Sequence, residues 1–220
     1  MSVLEPTERT RLRRRANRAH YEREVIDAIL DEALICHVGF SVNGQPFVLP
    51  TIHARIGDRL YVHGSVSARM LKVLGSGAPA CVTATLLDGL VLARAGFHHT
   101  MNYRSVVLFG TAEQVSDHAE KRAALDAIVD HVVRGRSAAV RAPTAAELQA
   151  TAVLRLPISE ASAKIRTGFS VESEEDLAWP CWAGVLPLRL VASVPLPDPH
   201  LAPGIAVPPE LAHYERAALG

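Results

Sequence analysis

His63, Gly64, Ser65, Ser67 and Arg69 lie within seven consecutive positions where an alternating apolar run gives way to a helical one. At such a junction unpaired backbone N–H groups and the positive end of the helix dipole converge, and here two hydroxyls and a guanidinium are within reach. That combination suits a phosphate. It is not a P-loop, because no Gly-Lys-Ser/Thr follows. A plainer assignment makes Ser65 or Ser67 an N-cap and Arg69 a solvated helix residue.

A second cluster runs over residues 97–110, where Arg104 and Ser105 stand at the entrance of an apolar strand and could meet a ligand at a barrel rim. The alternative is sheet-edge packing of Tyr103 with a snorkelling Arg104. His98 and His99 are adjacent, so an extended chain sends them to opposite sides, and no metal site is signalled. A Ser-His-Asp hydrolase is disfavoured by the lack of a G-x-S-x-G elbow.

The elements that must hold these clusters are legible from periodicity. Val25, Ile26, Ile29, Leu30 and Ala33 recur at helical spacing, which predicts an amphipathic helix over 21–34. The period then falls to two, with Cys36, Val38, Phe40 and Val42 on one face, and Asn43-Gly44 is a hairpin signal. Strands are expected over 47–56 and 60–63, a short helix over 67–74, then strands over 80–87, 90–96 and 103–115 with a turn at Asp88-Gly89. Asp117 caps a helix bearing Ala124, Leu125, Ile128, Val129 and Val132, and one more strand covers 152–158. Successive hairpins without intervening helices argue for an antiparallel sheet. The expected organisation is a basic arm at 1–20, a barrel domain at 21–158 and a partly irregular extension at 159–220.

The 220 residues carry 23 Lys plus Arg against 23 Asp plus Glu, so no global field draws the chain to nucleic acid, and any anion must be met locally. Cys36, Cys81 and Cys181 form neither a disulfide framework nor a zinc motif, which points to a reducing, cytoplasmic setting with Cys36 and Cys81 as core thiols. No stretch approaches the roughly 20 apolar residues of a membrane span. The arginines at 11, 13, 14, 15 and 18 read as a solvated arm, Lys164 and Arg166 as surface charge or as groups approaching a ligand, and Trp182 as packing under the Pro-rich tail or covering a ligand.

Together the two clusters resemble the pyridoxamine 5′-phosphate oxidase-like FMN-binding split barrels, including the nitroimidazole-resistance reductases, over residues 21–158. The resemblance implies a mainly β fold with flanking helices closed into an antiparallel split barrel. It assigns Arg69 to the FMN phosphate, places His63 and Gly64 along the flavin, sets Ser105 where the oxidase has a glutamine near it, and offers Thr51 and His53 as its polar edge. Met70 departs from the family's second cation, a lysine, and the elements that hold pyridoxine phosphate are not recognisable after Ile158. An FMN-dependent oxidoreductase follows, acting on a small-molecule substrate with His63 as proton donor, built as a homodimer. The alternative is a non-catalytic flavin- or haem-binding protein.

Overall fold

The computed structural model describes residues 2–212 and residue 214. The elements are β1 (Ala19–His20), α1 (Arg23–Glu32), β2 (Ile35–Val42), β3 (Gln45–Ile56), β4 (Arg59–Ser65), α2 (Arg69–Gly75), β5 (Pro79–Leu92), β6 (Thr100–Thr111) and β7 (Glu113–Gln114). There follow α3 (His118–Val132), α4 (Arg136–Ala139), α5 (Ala145–Ala150), β8 (Thr151–Pro157), β9 (Ala161–Arg166), α6 (Glu174–Leu177), β10 (Gly184–Pro187) and α7 (Pro209–Ala212). The strands join in the order β1-β9-β6-β5-β2-β3-β4-β8-β7, with β10 added to β5, and the pairings are antiparallel. This is the antiparallel split barrel expected from the sequence.

Local sequence explains most of the frame. Ile26, Ile29 and Leu30 are buried on one face of α1, and Cys36, Val38 and Phe40 alternate inward along β2. Asn43 and Gly44 both take positive φ, 50° and 81°, the two-residue turn that Asn-Gly favours. Residues 45–52 of β3 pair with β2, and residues 53–56 pair with β4. That handover splits the barrel. Leu60, Val62, Leu154 and Leu156 then fill the core across the β4–β8 pair.

Four expectations change. Asp88-Gly89 is not a turn: β5 continues through it with a register shift between Leu87 and Gly89, because β6 and β10 offer partners on both sides and absorb the extra residue as a bulge. The sheet does not stop at Ile158, since β9 pairs with both β6 and β1 and buries Ala161 and Ala163. Alanine has weak strand preference, which hid this element. The arm is docked at both ends, since Thr10 is buried, Thr7 and Arg9 bind the carboxylate of Glu160, and β1 extends the sheet edge, while Arg11, Arg13, Arg14 and Arg15 between them are exposed. Arg166 is buried at 6% exposure instead of lying on the surface, with its guanidinium on Asn102 and the carbonyls of Gly168 and Phe169.

Candidate functional site

Alternation along β4 decides where each candidate points. Leu60 and Val62 enter the barrel core, whereas Tyr61 joins Val115, Ala124 and Val153 on the other side, against α3. His63 follows Tyr61 by two positions and therefore faces α3 as well. It lines a cavity of about 430 Å³ with Leu125, Ile128, Val129, Val140 and Arg141. Its Nδ1 is buried without a hydrogen-bond partner, and burial, which disfavours the charged form, lowers its pKa.

Gly64 turns toward α2, where an added Cβ would stand 3.0 Å from Leu71 Cδ2. The close seat of α2 on β4 thus depends on the missing side chain. Ser65 and Ser67 do not cap α2. Their hydroxyls lie 2.8 Å apart, the Ser67 N–H donates to Ser65 Oγ, and Ala68 holds the cap position without a side-chain bond.

Arg69 is exposed, and its guanidinium carbon sits 5.1 Å from the centroid of the Phe47 ring. Among the described residues it forms no ion pair. Phe47 and Thr51 occupy the same face of β3, each opposite an inward-facing residue of β2, Phe40 and Cys36 respectively. The Thr51 hydroxyl donates to the Ile52 carbonyl at 3.3 Å. Arg69, Phe47 and the two serines thereby share one corner, and Thr51 lies four residues further along the same face of β3.

Three candidates are not. His53 is completely buried, with Nε2 2.8 Å from the Leu30 carbonyl and its ring 4.7 Å from that of His131, whose Nε2 is 2.8 Å from the Ala33 carbonyl. The two imidazoles satisfy carbonyls that the end of α1 leaves open, which displaces the expected role of His53 at a ligand edge. Arg104 is neutralised twice over, by Glu32 and by Asp88, and these carboxylates raise its pKa, Glu32 first. It ties α1 to the bulge of β5 instead of reaching the rim. Ser105 faces away from the inward pair Val106 and Leu108, and its hydroxyl donates to the Lys164 carbonyl at 3.3 Å.

Sequence reasoning missed Phe47 as the seat of Arg69, and it missed the α3 cavity. The signal for the second was present: α3 carries more apolar positions than the core uses, because Ala124 and Ile128 are buried while Leu125 and Val129 remain half-exposed to the cavity. Trp182 is 66% exposed, with its ring against Gly184, and so is not packed under the tail. No helix of the described residues is long and apolar enough to cross a membrane.

The family described as pyridoxamine 5′-phosphate oxidase matches residues 22–165. The flavocytochrome Anf3 from Azotobacter vinelandii is 44% identical over 94% of this chain and 97% of its own, with a TM-score of 0.88. The FAD- and haem-binding protein from Mycobacterium smegmatis is 40% identical over 88% of this chain and 95% of its own, with a TM-score of 0.84. A proposed 5-nitroimidazole antibiotic resistance protein from Bacteroides thetaiotaomicron, 24% identical over 67% of this chain and 86% of its own, shares the fold at a TM-score of 0.57. Among curated proteins none is similar in sequence.

Proposed function

The chain belongs to the pyridoxamine 5′-phosphate oxidase family, and from that premise we propose that it is a flavin-nucleotide-binding redox protein whose flavin phosphate is held by Arg69. The observation that carries this reading is the guanidinium of Arg69, seated on Phe47 beside two hydroxyls and without a carboxylate partner among the described residues. An exposed cation fixed by an aromatic face and left unneutralised is prepared for an anion. FMN and FAD share the phosphate next to the ribityl chain, so the same corner fits both. The two relatives above 40% identity or at that level, described as a flavocytochrome and as an FAD- and haem-binding protein, support flavin and haem together.

When bound, the flavin supplies the electron transfer, and the protein supplies the phosphate clamp, the orientation and the exclusion of water. Ser105 faces away from Val106 and Leu108 and donates to the Lys164 carbonyl, whereas Arg69 sits by Phe47. Ile35, Val48 and Ile52 stand on the face of β2 and β3 opposite the core, at 47, 64 and 36% exposure. A homodimer closing over that face would bury them and build each flavin site from two chains, with an interface on the order of 2,000 Å². The substrate in this reading is a small-molecule electron donor or acceptor.

The test is direct. Purified protein should carry or take up a flavin nucleotide, FMN or FAD should bind far more tightly than riboflavin, and sedimentation should show a dimer. Equal affinity for riboflavin would remove the phosphate clamp, and a flavin-loaded monomer would remove the two-chain site.

A further inference from the structure

The segment between β10 and α7 has a composition at odds with its placement. Ten of the nineteen residues from Arg189 to Val207 are Ala, Val, Leu or Ile, and Arg189 and Asp198 are the acidic and basic residues among them. Segments that stay free in water are instead poor in apolar residues and rich in charge. Here Leu190, Val191, Val194 and Leu196 are 78 to 91% exposed. Large apolar side chains left in water at this density mark a surface that another molecule covers. The hydrogen bonds within this segment, among the described residues, are local: Leu201 N–H to the Asp198 carbonyl, Ile205 N–H to the Ala202 carbonyl, and His200 N–H to the Asp198 carboxylate.

Both ends are nonetheless fastened to the body. The Leu188 N–H donates to the Asp88 carbonyl at 3.0 Å, and past α7 the Tyr214 hydroxyl donates to the Val132 carbonyl at 2.9 Å. The two fastenings share one neighbourhood, the end of α1. Arg104 bridges Asp88 to Glu32, and His131, next to Val132, has its Nε2 2.8 Å from the Ala33 carbonyl. Extended, residues 189–207 reach on the order of 60 Å. A chain that leaves and returns at one helix end with that much slack forms an arch. Pro195, Pro197, Pro199 and Pro203 exclude a helix and favour extended backbone, which lowers the entropy lost when the arch is seated.

The position of the arch selects its occupant. Ile35 stands two residues after Ala33 and pairs with Ile52 on β3; both belong to the exposed apolar face on which the proposed function seats the second protomer. A copy seated there meets the arch at the edge of the same face. Two-fold symmetry then makes the contact reciprocal, each arch covering the other chain. With one Arg and one Asp the arch offers no field for a polyanion or a charged membrane, and its alkyl groups suit an apolar protein surface. We propose that residues 189–207 are a strap by which each protomer clasps the other, with Leu190, Val191, Val194 and Leu196 buried against the partner. This rests on the homodimer of the proposed function and supplies the element that holds it together.

The experiment uses the full chain carrying Val191→Asp and Leu196→Asp together. Both side chains are exposed in the single chain, so the circular dichroism spectrum should match wild type. Sedimentation over a concentration series should show a wild-type dimer and a variant whose dissociation constant is raised by about a hundredfold or more, since withdrawing one buried Val or Leu already corresponds to roughly tenfold or more. The pair Val191→Ile and Leu196→Met, which stays apolar, should keep the dissociation constant near that of wild type. Backbone amides of residues 189–207 should be protected from hydrogen exchange in the wild-type dimer and lose that protection on dilution to monomer. A wild-type monomer at micromolar concentration would overturn the homodimer and the strap together. A wild-type dimer with an unchanged dissociation constant in the aspartate variant, or with freely exchanging strap amides, would overturn the strap alone and leave the arch to solvent or to a different protein. Protection that persists in the monomer would show the arch docked on its own chain, which overturns the strap as well.

Discussion

Arg69 and Arg104 begin as equivalent candidates, each an arginine next to a serine-bearing strand junction, and the fold treats them in opposite ways. Arg104 sits at 14% side-chain exposure between two carboxylates from different elements, Glu32 at the end of α1 and Asp88 at the bulge of β5. Arg69 is exposed on an aromatic ring with no carboxylate among the described residues. A half-buried cation must be compensated within the protein, because desolvation is costly and water is not there to offset it. An exposed cation needs no such partner and is free for a ligand. The difference teaches that charge alone does not mark a binding arginine; the absence of internal compensation does.

That contrast can be broken most severely at Arg104. Arg104→Met leaves two part-buried carboxylates facing each other and should destabilise the fold by about 2–4 kcal/mol, within the range for removing one partner of a buried ion cluster after allowance for the exposure of Asp88. Urea unfolding would show the loss, and flavin nucleotide affinity per folded molecule should be unchanged. A stable Arg104→Met protein with weakened flavin binding would make Arg104 a ligand residue after all.

Arg69→Ala should do the reverse. Removing one charge-assisted contact of roughly 1.5–3 kcal/mol weakens FMN or FAD about ten- to a hundredfold, while riboflavin affinity and the unfolding midpoint barely move. Parallel titrations of the nucleotide and of riboflavin at fixed salt decide it. Equal weakening of both ligands would place Arg69 in the ring pocket or in the support of the fold.

Gly64→Ala sharpens the comparison from a neighbouring position. The new methyl presses on Leu71 Cδ2, at 3.0 Å, and should cost about 1 kcal/mol while displacing the start of α2 and hence Arg69. Combining it with Leu71→Val should recover stability and nucleotide affinity together. Recovery of stability without affinity would show that Arg69 is not positioned through this contact.

The smallest expected effect is on pH dependence and comes from His63. Its folded pKa is lowered by burial, so between that value and the ordinary one near 6.5 the unfolded chain binds more protons than the folded one. Stability should therefore be lost as pH falls through this window, and His63→Gln should flatten that part of the profile. An unaltered profile in the variant would mean that other groups carry the acid sensitivity.

Much of this was written in local pattern. The helical spacing of Ile26, Ile29 and Leu30, the period-two run through Cys36, Val38 and Phe40, the Asn43-Gly44 turn and the Asp117 cap, whose carboxylate accepts from the Glu120 N–H, all depend on neighbours a few residues away. Interactions of that range are properties of short segments, and sequence determines them directly. The class of the fold followed from them, and so did the strand-to-helix junction that carries Arg69.

What the sequence could not decide was set by partners distant in the chain. Whether Asp88-Gly89 turns or bulges depends on β6 and β10 lying alongside, and whether Ala161 to Arg166 forms a strand depends on β6 and β1. His53 became a cap because the Leu30 carbonyl in the last turn of α1 stands 2.8 Å from its Nε2, and Arg104 a tie because Glu32 arrives from 72 residues away. His63 faces α3 rather than Arg69 because β4 alternates between two cores, and only packing tells which core each face meets. Side chains with the same chemistry acquire different tasks according to the burial and compensation they find, and those are tertiary quantities.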